Sequence, residues 1–212
     1  TTKPKQQSRG KQVKEVLVMG NPTMPKLEPP LQPLPGSEKE AQAIAQLENT
    51  TAIIGAQATE TLLKQKLPNA KIVHLATHGL LESPQDKTIP TAIALAPSPK
   101  DDGLLTPAEI VDLPIKAEMV VLSACDTGRG KITGDGVIGL SRSLMTAGAS
   151  SVVVSLWAVP DAPTSGLMTE FYHNLQQNPD KAVALRNAIL TTMKRHPNPV
   201  NWAAFTLIGK SS

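Results

Sequence analysis

The stretch Glu118-Met119-Val120-Val121-Leu122-Ser123 is the most continuous apolar strand of the chain, and it stops at a polar break. A run that offers apolar side chains to both faces belongs inside a parallel sheet covered by helices. Similar runs recur on either side of it. Upstream stand Val16-Leu17-Val18-Met19, stopped by Gly20-Asn21-Pro22, then Ala52-Ile53-Ile54 ending at Gly55, Lys71-Ile72-Val73-His74-Leu75-Ala76, and Ala92-Ile93-Ala94-Leu95. Downstream come Ser151-Val152-Val153-Val154-Ser155-Leu156 and a short closing strand within Trp202 to Ile208. Between these runs the sequence predicts helices. One covers about Ser37 to Leu47, with Ser37 and Glu40 at capping-box spacing. Others pass through Glu60-Thr61-Leu62-Leu63 and follow Thr106, an N-cap with Pro107 at the first helical position. The last three span Val137 to Ala147, Thr164 to Gln176 and Asp180 to Arg195. Strand and helix alternate, which predicts a mostly parallel sheet between helical layers.

A length of 212 residues lies within the range of single α/β domains, and one domain over residues 15–212 is expected. Residues 1–14 are polar, basic and aperiodic, and read as a tail or linker. Apolar residues make up 40% and charged residues 18%, a globular composition. The net charge of +3 is weak evidence for nucleic acid, because much of the basic excess sits in Lys3, Lys5, Arg9, Lys11 and Lys14. Two Trp, one Tyr and two Phe supply few stacking platforms, so nucleic acid is not an expected partner. Neither is a membrane, since no apolar run approaches the ~20 residues a span needs. One cysteine excludes an intramolecular disulfide and a multi-thiolate metal site, and no secretory signal opens the chain. A reducing, cytoplasmic setting follows as an expectation.

Parallel sheets gather functional groups at the carboxyl ends of their strands. That rule selects Thr77-His78-Gly79, Ala124-Cys125-Asp126-Thr127-Gly128, and Trp157 to Asp161. A cysteine attacks as its thiolate, and a nearby imidazole helps it form, so Cys125 and His78 are candidate nucleophile and base. Gly79 lets substrate backbone come close, and its amide with that of Cys125 is a candidate oxyanion hole. Taken singly, a buried structural cysteine and a hydrogen-bonded structural histidine are the competing readings. His74, four residues earlier and on the same side of the strand, is read as a core or supporting histidine.

Rival chemistries fail on spacing. Around Gly130-Lys131 a phosphate loop would need glycine where Cys125 stands and Ser or Thr where Ile132 stands. A cysteine phosphatase loop would need arginine where Lys131 stands. His74 and His78 are more than ~10 Å apart along a strand, too far to share a metal. No metal and no cofactor is expected.

Five ordered motifs carry a resemblance: His74-Leu75-Ala76-Thr77-His78-Gly79, Val121-Leu122-Ser123-Ala124-Cys125-Asp126-Thr127-Gly128, Gly134-Asp135-Gly136-Val137-Ile138-Gly139-Leu140, Ser155-Leu156-Trp157-Ala158-Val159-Pro160-Asp161, and Trp202 to Gly209. The chain resembles the CHAT domain family of bacteria, relatives of caspases and separase, from about Val16 to Gly209. The resemblance implies a caspase-like three-layer α/β/α sandwich, a dyad of His78 and Cys125, and hydrolysis of a protein or peptide substrate through a thioester. It also implies tetratricopeptide repeats N-terminal in the same polypeptide. Where the family often has Glu in the Gly-x-Gly turn, Asp135 keeps the charge. Leu156-Trp157-x-Val159-x-Asp161 looks like the separase stretch lining the pocket for the residue before the scissile bond. Asp161 is therefore expected to select Arg or Lys, with Trp157 in the pocket wall, although Asp161 capping the helix after it is the competing reading. Asp126, beside the nucleophile, is a second candidate for the pocket. A catalytically silent caspase-like signalling or assembly module is the alternative from another class, and a small-molecule thiol hydrolase is a third.

Overall fold

The computed structural model describes residues 15–82, 89–123 and 134–212. In chain order its elements begin with β1 (Val16–Pro22), α1 (Pro35–Leu47), β2 (Ala52–Gly55), α2 (Glu60–Lys66) and β3 (Ile72–Ala76). Then come the short strands β4 (Gly79–Leu80), β5 (Ala92–Ala94) and β6 (Leu104–Leu105), followed by α3 (Pro107–Val111), β7 (Met119–Leu122) and α4 (Gly134–Thr146). The chain closes with β8 (Ser151–Ser155), α5 (Asp161–Gln177), α6 (Lys181–Arg195) and β9 (Phe205–Gly209).

Six strands form the main sheet in the order β2-β1-β3-β7-β8-β9. The first five are parallel, and β9 runs antiparallel to β8 at the edge. Side-chain alternation divides the sheet into two apolar faces. Val16, Val18, Ile72, Val121 and Val153 pack with Ile44 of α1, Phe171 of α5 and Ala188 of α6. Leu17, Met19, Leu75, Val120 and Val154 pack instead with Leu63 of α2, Ile110 of α3 and Leu140 of α4. Each large side chain so sealed contributes on the order of 1.5–3 kcal/mol. The three-layer α/β/α arrangement is thus a direct consequence of strands apolar on both faces. Among the described residues no helix is long and apolar enough to cross a membrane.

Two local expectations are corrected. The run Ala92–Leu95 does not enter the main sheet, because β5 pairs antiparallel with β4 and β6 in a separate three-stranded sheet. Ser37 does not cap α1 either, for the helix starts two residues earlier with Pro35 in its first turn, and Leu34 in the cap position offers no side-chain bond. The acceptor comes from 125 residues away, where Asp161 takes the Gly36 amide through Oδ2 and the Ser37 hydroxyl through Oδ1 at 3.0 Å. A Cβ at Gly36 would strike that carboxylate, so glycine permits the approach. Gly20 plays the same part where α1 crosses β1, since a Cβ there would lie 2.7 Å from the Ser37 carbonyl oxygen. Freed from capping, Glu40 points inward.

Candidate active site

His78 sits just past the C-terminal end of β3. The turn that carries it is fastened to β5: the Thr77 hydroxyl donates to the Ala94 carbonyl at 2.7 Å, and the Ala94 amide donates to the His78 carbonyl at 2.9 Å. The imidazole is 4% exposed, and its Nε2 lies 2.7 Å from the Gln32 carbonyl oxygen in the segment before α1. A carbonyl only accepts, so Nε2 carries the hydrogen of the neutral ring and Nδ1 is its acceptor nitrogen. The sequence showed no third group to orient the histidine. The structure supplies one from the main chain, which no side-chain motif could reveal. Next along, Gly79 pairs with Ile93. Because the His78–Ala94 position carries the ladder bond, the alternation of antiparallel pairs turns the Gly79 amide away from β5.

Cys125 and Asp126 lie outside the described residues. The neighbouring geometry reaches Ser123, whose amide donates to the Leu75 carbonyl at 3.1 Å and extends the β3–β7 pairing by a step. Partners in that pairing are 47 residues apart along the chain, from Ile72 with Met119 to Leu75 with Leu122. His78 and Cys125 have the same separation.

Below these strand ends lies a sealed polar cluster. His74 is fully buried on the α1 side of β3, with Nε2 2.8 Å from Glu40 Oε1 and Nδ1 3.2 Å from the Tyr172 hydroxyl. The Ser123 hydroxyl donates to the same Glu40 oxygen. Burial, then the charges of Glu48 and Glu40, holds the Tyr172 hydroxyl well above its ordinary pKa, so it keeps its proton and donates to His74. His74 is a supporting histidine, while Glu40 was missed because its spacing from Ser37 imitates a capping box.

Asp161 begins α5, with both oxygens turned to the first turn of α1 as described above, so it caps a helix other than its own. Trp157 is half-buried in the bend after β8, beside Leu156, which is 39% exposed. A cavity of about 890 Å³ opens at the other, N-terminal edge of the strands, lined by residues including Ile72, Glu118 and Asp180. It shares no wall with His78. Among the described residues no group of three or more His, Cys, Asp or Glu is placed to hold a metal ion.

His78 lies just past the end of β3, which pairs with β7, and the sequence matches the CHAT domain over residues 1–210. The chain belongs to the CHAT domain family. This CHAT domain is 31% identical over 228 residues to human (Homo sapiens) Tetratricopeptide repeat protein 28 and 30% identical to the mouse (Mus musculus) protein of the same name. Each comparison covers 91% of this chain and 9% of the relative, so the chain spans under a tenth of those proteins. Mammalian relatives give no support to a bacterial source. The domain also superposes on the crystal structure of the Arg specific cysteine proteinase gingipain R, with a TM-score of 0.60 at 15% identity, over 95% of this chain and 48% of that one. A complex of Porphyromonas gingivalis RgpB pro- and mature domains gives 0.59 at 12% identity, over 94% and 48%. Such likeness establishes a caspase-like fold for the CHAT domain.

Proposed function

We propose that this CHAT domain is a cysteine endopeptidase that cleaves after a basic residue, with His78 and Cys125 as its dyad. The carrying observation is the placement of His78: just past the end of β3, next to β7, with Nε2 committed to the Gln32 carbonyl. The separation of 47 residues, the same as that of the β3–β7 partners, supports pairing it with Cys125. His78 assists thiolate formation, and the thiolate attacks the peptide carbonyl to give a thioester and a free amine. Water then hydrolyses the thioester, releasing the acid and restoring the thiol. The amides of Gly79 and Cys125 hold the oxyanion.

Asp161 is the proposed acid of the specificity pocket, with Trp157 in its wall and Asp126 as the second candidate. Its two bonds to α1 leave lone pairs to receive a guanidinium or ammonium. Gingipain R, an Arg specific cysteine proteinase of the same fold, supports the basic preference. Tetratricopeptide repeats upstream in the same polypeptide, joined through residues 1–14, are supported by the name of the relatives and by the small share of their length that this chain covers. A reducing compartment such as the cytoplasm suits a lone nucleophilic thiol.

A peptide library offered to wild type, Cys125→Ala and Asp161→Asn tests the reading. Cleavage after Arg or Lys is expected for wild type, none for Cys125→Ala, and a lost basic preference for Asp161→Asn, which keeps an oxygen for the cap. Unchanged preference would move the assignment to Asp126. A folded wild type that cleaves nothing would favour the catalytically silent signalling or assembly module.

A further inference from the structure

The cluster under the strand ends has no role in the chemistry just described, yet its construction is specific. Glu40 from α1, His74 from β3 and Tyr172 from α5 are fully buried, and Ser123 after β7 is 2% exposed. Glu40 Oε2 is buried without a hydrogen-bond partner among the described residues. Such an arrangement is not the most stable way to fill the space, for buried ionisable pairs are often replaced by apolar side chains at no loss. What it has, and apolar packing lacks, is direction.

A single oxygen, Glu40 Oε1, receives His74 from β3 and Ser123 from the end of β7. The Tyr172 ring meets the His74 ring edge-on at 5.4 Å and closes the far side. His74 precedes His78 by four residues, and Ser123 precedes Cys125 by two. The segment leading into the same helix also presents the Gln32 carbonyl to His78. One helix and the segment leading into it therefore hold both His78 and the end of β7.

We infer that Glu40 is a positioning residue: held by His74, its carboxylate fixes where the chain leaves β7 through Ser123, and so where Cys125 stands relative to His78. Its effect on catalysis rests on the peptidase reading, whereas the tether itself concerns β7 alone. The mildest cut is Ser123→Ala, which removes one hydroxyl and leaves Glu40 bonded to His74. Glu40→Gln keeps an oxygen that accepts from both partners and serves as the rescuing variant.

Three readouts apply to each full-length variant: amide hydrogen exchange just past β7, the pH profile of Cys125 alkylation by iodoacetamide, and kcat against KM on a cleaved peptide. For Ser123→Ala, exchange after β7 is expected to rise about tenfold and kcat to fall about tenfold at unchanged KM, the scale of one lost charge-assisted bond. Its alkylation midpoint should move toward that of an ordinary thiol, while Glu40→Gln stays near wild type in all three. A Ser123→Ala variant that only melts lower, with exchange and alkylation unchanged, overturns the inference. Faster exchange with an unmoved alkylation profile also overturns it, since the tether then does not reach the thiol. If wild type cleaves no peptide but exchange and alkylation respond as expected, the peptidase reading fails and the tether stands.

Discussion

Two buried glutamates on opposite faces of the sheet solve the same problem differently. Glu60, 1% exposed at the start of α2, accepts the Gly103 amide at 3.2 Å and pairs with Lys64 one turn on at 3.0 Å. That ammonium is 36% exposed and also stands 3.6 Å from Asp101, so the pair keeps a flexible link to water. Glu40 is sealed: its partners are an imidazole and a hydroxyl fixed to two strands, and its other oxygen is buried without a hydrogen-bond partner among the described residues. The difference teaches that a buried carboxylate can either pin a loop to a helix or lock strands against one another. In the second case an error travels to the strand ends.

The comparison is broken or sharpened by three substitutions. Glu40→Ala strands His74 and the Ser123 hydroxyl in a dry interior and should cost about 3–5 kcal/mol in urea unfolding. A loss near 1 kcal/mol would erase the contrast with Glu60. Asp161→Ala removes the distant cap of α1 and should cost about 1–2 kcal/mol in thermal unfolding. It should also speed exchange in the Gln32 segment. Glu60→Gln keeps an acceptor for Gly103 and should change stability at neutral pH by less than about 1 kcal/mol.

The pH response of Glu60 sharpens the third case. Burial raises its carboxyl above the ordinary 4.5, with Lys64 pulling the other way. A raised value means the folded state holds the proton more tightly, so this stabilising term is present below about pH 4.5 and is lost as pH rises through the folded value. Relative to wild type, Glu60→Gln should therefore gain ground between about pH 4 and pH 7, as measured by unfolding free energies across that range. A gain in the opposite direction would mean that the Lys64 pair dominates.

Strands and helices were legible wherever the pattern is local: apolar runs such as Val152-Val153-Val154, or Thr106-Pro107, where the expected N-cap forms and Glu109 completes it as a capping box. The position of His78 just past a strand end was legible in the same way. What the sequence hid is held together by distant partners. Glu40 lies 34 residues from His74 and 83 from Ser123, and Asp161 lies 125 from Gly36. A reading by periods of two or three to four residues assigns such groups to the nearest local device, and for Ser37 and Glu40 that device was the wrong one. The Gln32 carbonyl was hidden for a different reason, because every residue has one.

Labelling with an arginyl chloromethyl ketone, followed by mass mapping, tests the dyad most directly. The expected result is a single adduct on Cys125, formed rapidly in wild type, slowed by a competing arginyl peptide and abolished in folded His78→Ala. Modification elsewhere with Cys125 untouched, or an adduct on Cys125 that forms at the same rate without His78, would contradict a thiolate made by that imidazole.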